Sequence, residues 1–234
     1  MIIMAFDSTA KSASVAVLDG ERVLANYSID NGLTQSELLL PMAEDALKSL
    51  KLSFSDVELY ACSSGPGSFT GVRIGVSLIK GLAFGKGVPC VGVSTLLALA
   101  ENLAGLRGVI VPVMDARREQ VYTAIFNSDG KTLTRECEDK AISISDLAHE
   151  LESKEEPIYL VGDGYAVVKR AFEKLGLKTE NTPELLLLEN AASVGKAALR
   201  AYLNGDGGSD LTVSPTYLRM PQAERERLER EKTN

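Results

Sequence analysis

The apolar positions of this chain fall into short blocks separated by turn-forming residues, and their spacing switches between the strand and helix periods. Residues 2–6 are a β-rich apolar run stopped by Asp7-Ser8-Thr9, and residues 13–18 resume it as a second strand. Asp19-Gly20 is a hairpin signal, after which residues 22–27 supply a third strand. Thr34 with Glu37 three residues later makes a capping box, and Leu39, Met42, Ala43, Ala46, Leu47 and Leu50 keep helical phase, so a helix is predicted over 34–50. Pro41 removes one backbone hydrogen bond from that helix and should kink it. An apolar run at 57–62 reads as a buried strand, and a glycine-rich turn then opens into a second helix over 70–85.

The same order begins again at Val109. Strands are predicted at 109–114, 120–126 and 132–136, with Asp115-Ala116-Arg117 and Asp129-Gly130 as the turns between them. A short helix at 145–151, a strand at 158–161, the turn Gly162-Asp163-Gly164 and a helix at 165–175 complete the repeat. Between the units lie a strand at 88–93 and a helix capped by Ser94 or Thr95 that runs to about Ala104; a helix at 189–203 closes the second half. Glycine-rich 204–210 leads to a charged tail whose segment 223–232 reads as a solvated helix. The fold class is therefore α/β, with two duplicated βββαβα units, the plan of the two-lobed actin-like or ribonuclease-H-like fold. The lobes are expected at 1–105 and 106–215, with the tail at 216–234.

Asp7 and Asp115 end the first strand of each unit. In a fold of this plan they would flank a metal-bound nucleotide, with Ser8 and Thr9 donating to its phosphates. Aspartates that cap hairpin turns would look the same, and both readings of the residues stay open. The arginines of Asp115-Ala116-Arg117-Arg118-Glu119 would crowd a phosphate cradle. The glycine turn before the second helix also fails the standard phosphate templates. Val72 and Arg73, not Lys and Ser/Thr, follow Gly71, and Gly67 to Gly71 leaves one residue too many for the dinucleotide fingerprint.

Composition narrows the field further. A net charge of −7 argues against a free-standing nucleic-acid binder but not against a subunit whose partner supplies the basic surface. Cys62, Cys90 and Cys137 lie far apart and the single histidine is His149, so neither a disulfide framework nor a transition-metal site is indicated. No serine elbow is present and no catalytic residue is assigned. No apolar run reaches the roughly 18 residues of a membrane span. Asp7 and Lys11 interrupt the short apolar start, so a cytoplasmic protein is expected. The second helix stands out instead. Gly71 and Gly75 are one turn apart, and Ser77, Gly81 and Gly85 form a second small-residue row. Interior glycines cost a helix about 0.8–1 kcal/mol each, which points to close approach of another element, whether this chain's own sheet or a partner's helix. Arg73 sits in the first turn against the helix dipole and is expected to pair with a carboxylate.

The run Ser64-Gly65-Pro66-Gly67-Ser68-Phe69-Thr70-Gly71-Val72-Arg73-Ile74-Gly75 closely resembles the signature of the bacterial TsaB family, also called YeaZ. The resemblance continues through Ala5-Phe6-Asp7-Ser8-Thr9, Leu39-Leu40-Pro41, Gly92-Val93-Ser94-Thr95-Leu96, Met114-Asp115-Ala116-Arg117-Arg118 and Pro215-Thr216-Tyr217-Leu218-Arg219, in order along nearly the whole chain. Gln35 departs from it, standing where many members carry histidine. The resemblance implies a non-catalytic paralogue of TsaD, the enzyme that places threonylcarbamoyl on the tRNA adenosine beside the anticodon. It implies pairing with TsaD, joined by the ATPase TsaE, through the helices at 34–50 and 70–85. The docking residues would be Met42, Ala46, Gly67, Ser68, Phe69, Thr70, Arg73, Gly75, Ser77 and Gly81. tRNA would be met through the partners, self-pairing would use the same face, and this chain would require no cofactor, ATP or ADP being held in the assembled complex. A nucleotide-sensing regulator and a weak ATPase of the same fold are the competing functions.

Overall fold

In the computed structural model of the protein, residues 1–219 are described; the helix expected at 223–232 lies outside them. The first sheet is built from β1 (Ile2–Asp7), β2 (Ala13–Asp19), β3 (Arg22–Ile29), β4 (Leu59–Gly65) and β5 (Cys90–Ser94), in the order β3-β2-β1-β4-β5. The first three strands run antiparallel and β4 and β5 run parallel to β1. Helices α1 (Gln35–Ser49) and α2 (Phe69–Ala83) cover one face. β1, β2 and β4 are covered on both faces, which is why they read as unbroken apolar runs rather than alternating ones.

The second sheet repeats the arrangement around β6 (Arg107–Asp115), with β11 (Ile158–Val161) parallel on one side. The returning strand expected at 120–126 is observed as β7 (Gln120–Thr123) and β8 (Phe126–Asp129), lying end to end along β6 in one register, Val113↔Thr123 and Ile110↔Phe126. The break falls opposite Pro112. Proline has no N–H to give the ladder, and the Pro112 carbonyl accepts the Thr123 hydroxyl at 2.8 Å. The outer strand is split likewise, into β9 (Leu133–Arg135) and β10 (Lys140–Ser143), of which only β9 was expected. Helices α4 (Ile144–Leu151) and α5 (Tyr165–Leu175) cover the face opposite the first lobe.

Two helices lie between the sheets, and they cross over. Helix α3 (Thr95–Glu101) follows the first sheet in sequence but buries Leu96, Leu99 and Ala100 against Ile110, Met114 and Phe126 of the second. Helix α6 (Ala191–Leu203) follows the second sheet but packs Ala191, Val194 and Ala198 on Ile3, Ala5 and Leu18 of the first. The expectation that α6 closes the second half is thus corrected. Its alanine-rich face and Gly195, where an added Cβ would lie 2.5 Å from Leu18 Cδ1, let it sit close on the first sheet. Asn102 joins the two, accepting from Ser193 Oγ at 2.7 Å and donating to the carbonyls of Leu186 and Leu188.

Candidate functional site

The turn that ends β1 is closed upon itself. Asp7 is buried; its Oδ1 accepts from the Thr9 N–H at 2.9 Å and the Thr9 hydroxyl at 2.7 Å, and its Oδ2 accepts from Ser63. Ser8 Oγ donates to the Gly71 carbonyl at 2.8 Å, and the Ser68 N–H donates to the Thr9 carbonyl at 2.7 Å. The first turn of α2 therefore rests on this hairpin backbone to backbone. An added Cβ at Gly71 would lie 1.9 Å from the Ser8 oxygen, and one at Gly67 2.6 Å from the Thr9 oxygen. In this chain the Ser8 hydroxyl donates to the Gly71 carbonyl and the Thr9 hydroxyl to Asp7.

Glu189, just before α6, is a second buried carboxyl, and no motif or spacing in the sequence marks it. Burial, and then the charge of Asp7, push its pKa up to about 8, while burial also raises Asp7 against the hydrogen bonds from Ser63 and Thr9. Ser12 Oγ approaches Glu189 Oε2 at 3.5 Å, and Oε1 has no hydrogen-bond partner among the described residues.

Outside this closed turn the lobes leave a cleft of about 580 Å³. Thr9 and Asp115 line it; Asp7 and Ser8 do not. Asp115 is folded onto its own loop, its Oδ1 accepting from the Arg117 N–H at 2.7 Å, while its own N–H donates to Asp163 Oδ1 at 3.0 Å. Arg117, Arg118 and Glu119 all take left-handed backbone angles, φ 63°, 55° and 57°. Residues 213–219 cross from one lobe to the other as a strap. Lys80 Nζ holds the Val213 carbonyl at 3.1 Å, the Thr216 N–H donates to Ser64 at 2.7 Å, and Arg219 donates to the Ala116 carbonyl at 3.0 Å and to Gln120. Tyr217 stacks on Phe69 with centroids 4.5 Å apart. Arg73, expected to seek a carboxylate, instead lies 3.9 Å above the Phe69 ring and donates from Nε to the Tyr217 hydroxyl at 2.9 Å.

The expected docking residues divide by exposure. Met42 and Ala46 are buried in the core under α1, and Gly75 is buried with an added Cβ 2.8 Å from Ser8 Oγ. These three are packing residues of this chain and offer no surface, which narrows the expected set. Gly67 is held by Thr9, and Phe69 is half-covered by Tyr217. Ser68, Thr70, Arg73, Ser77 and Gly81 are exposed along the outer side of α2, with open space around Gly81. Phe84, at the end of α2, is 76% exposed, and Leu40 of α1 is 39% exposed. His149 is a surface residue beside Glu152, and burial raises the thiols of Cys62 and Cys90, the latter to about 11. Among the described residues no group of three or more His, Cys, Asp or Glu side chains could hold a metal ion, and no helix is long and apolar enough to cross a membrane.

Residues 34–226 match the family model described as "TsaD: tRNA N6-adenosine threonylcarbamoyltransferase". Over 99% of its length the chain is 30% identical to the tRNA threonylcarbamoyladenosine biosynthesis protein TsaB of Bacillus subtilis (strain 168), all of which is covered. The solved structure of YeaZ from Pseudomonas aeruginosa superposes with a TM-score of 0.76 at 26% identity, over 93% of this chain and 99% of that one. The activator of 2-hydroxyisocaproyl-CoA dehydratase from Clostridium difficile, solved with ADPNP, superposes with a TM-score of 0.50 at 11% identity, over 88% of this chain and 97% of that one. That last likeness is one of fold alone, and the fold is the two-lobed actin-like one.

Proposed function

Because the chain belongs to the TsaB family of tRNA threonylcarbamoyladenosine biosynthesis proteins, we propose that it is a non-catalytic subunit that organises and activates a TsaD-type transferase. The observation that carries this reading is the closed hairpin. Ser8 and Thr9 direct their hydroxyls inward, and α2 rests on the turn at Gly71. A kinase-like or ATPase role would need both groups turned to a phosphate. The docking face in this reading is the outer row of α2, Thr70, Arg73, Ser77 and Gly81, continued by Leu40 and Phe84. A helix carrying glycine there lets a partner helix approach closely. A TsaE-type ATPase joins the assembled pair, and in the absence of the transferase two copies of the chain pair through the same row.

The test is mass spectrometry of tRNA nucleosides after depletion of the protein in its own host. Loss of threonylcarbamoyladenosine, restored by the wild type but not by Gly81→Leu, is the expected result. Gly81 has open space around it, so that substitution perturbs the face and not the fold. Unchanged nucleoside levels on depletion would remove the subunit reading.

A further inference from the structure

We propose that the cleft between the lobes binds a single-stranded RNA segment directly, so that this chain is itself part of the RNA-binding surface. The proposal rests on the chain acting in tRNA modification. Three aromatic rings, Phe69, Tyr122 and Tyr217, line the cleft together with three cations, Lys11, Arg117 and Arg219. The guanidinium of Arg219 lies 5.5 Å from the Tyr122 ring centre, and that of Arg73 lies over Phe69 just outside. Aromatic rings beside cations are the combination single-stranded nucleic acid uses; here Arg219, tied to the Ala116 carbonyl and Gln120, and Arg73, tied to Tyr217, hold the rings in place, and the phosphates fall to Lys11 and Arg117. In a chain of net charge −7 this concentration of cations is local, not a consequence of composition.

The size and shape favour an unstacked nucleotide within a strand. A cleft of about 580 Å³ admits a nucleoside-sized group, and rings that line a cleft favour bases free to leave their stack over bases held inside a duplex. A free nucleoside triphosphate is disfavoured, because the hairpin hydroxyls that would hold its phosphates are engaged within the chain. The two carboxylates on the wall, Asp115 and Asp163, repel phosphate and therefore face the base or ribose side of the strand, where they accept from amino or hydroxyl groups.

The experiment is fluorescence anisotropy of the full chain with a 5′-fluorescein 12-nucleotide single-stranded RNA, and with the same strand annealed to its complement, at 50 and 200 mM KCl. The single strand should bind at least tenfold more tightly than the duplex, and more weakly at the higher salt. Arg117→Glu should weaken binding about tenfold or more, and Tyr217→Ser should do so through lost stacking. Arg170→Glu, the same charge change on the far side of α5, should leave binding as in the wild type. Circular dichroism confirms that each variant is folded, and Lys11→Glu repeats the test should Tyr217→Ser unfold. Equal binding of strand and duplex, no binding, or an affinity indifferent to both Arg117→Glu and Lys11→Glu would overturn the proposal. So would saturable binding of an oligoglutamate peptide in place of RNA, which would make the cleft a protein-docking site. Loss of threonylcarbamoyladenosine on depletion without RNA binding by the chain leaves the subunit reading standing and removes only this inference; RNA binding with unchanged nucleoside levels does the reverse.

Discussion

Glu189 is the residue whose environment departs furthest from what its sequence context announces. It precedes an alanine-rich helix, as a solvated acid would, yet it is 3% exposed, and the charge of Asp7 adds to burial in disfavouring its ionised form. Its pKa in the folded chain, about 8, lies above the roughly 4.3 of an unfolded glutamate. The folded state therefore holds the proton more tightly, and the stability this gives is complete below the unfolded value and is lost as pH rises through 8. Asp7, also raised, acts in the same sense. Melting temperature should fall between pH 5 and pH 9, and Glu189→Gln, which keeps a neutral side chain of the same shape, should flatten much of that slope. Thermal melts across this range decide it; an unchanged slope in the variant would show that another group sets the pH dependence.

At the scale of the element, α2 separates two kinds of glycine that look alike in sequence. Gly75 faces Ser8 and Cys62 with no room for a side chain, whereas Gly81 faces open space. Gly75→Leu should destabilise by about 3 kcal/mol or more through overpacking, and Gly81→Leu should stabilise slightly, by about 0.7 kcal/mol, from helix propensity alone. Chemical denaturation of the two variants checks both signs; a Gly75→Leu variant as stable as the wild type would return that glycine to the docking face. The sequence made the spacing of small residues legible but not whose backbone approaches them, because period fixes a face and not its neighbour. The same limit explains the other differences. The duplicated strand order followed from local patterning, and the split of the returning strand was foreshadowed by Pro112, whose missing N–H falls opposite residue 124. The destination of α6 was not legible, since nothing local says which of two sheets an alanine-rich face will cover. Asp7 and Asp115 were found because they end strands at matching points; Glu189 reaches Asp7 only through the crossing of α6 onto the other lobe.

That crossing governs the molecule as a whole. Each sheet has one face covered by helices of its own unit and the other by a helix adjoining the other unit in sequence. Division of the chain at residue 105 therefore does not separate two self-sufficient bodies. A fragment of residues 1–105 would keep α1 and α2 but lose α6, leaving Ile3, Ala5, Leu18, Leu59 and Val91 of the first sheet exposed to water. It would also carry α3 with its apolar face unmatched, the second sheet being absent. Uncovering an apolar face of this extent removes stabilisation at roughly 25 cal/mol per Å², which a domain of marginal stability cannot absorb. The fragment is expected to be insoluble or to lack a cooperative melt. Co-expression with residues 182–219 should restore solubility by returning α6 to its sheet, whereas co-expression with residues 140–176, which supply α4 and α5, should not. A fragment that melts cooperatively alone would mean that the first sheet is stable with one face covered, and the strap at residues 213–219 would then be the main tie between two independent lobes.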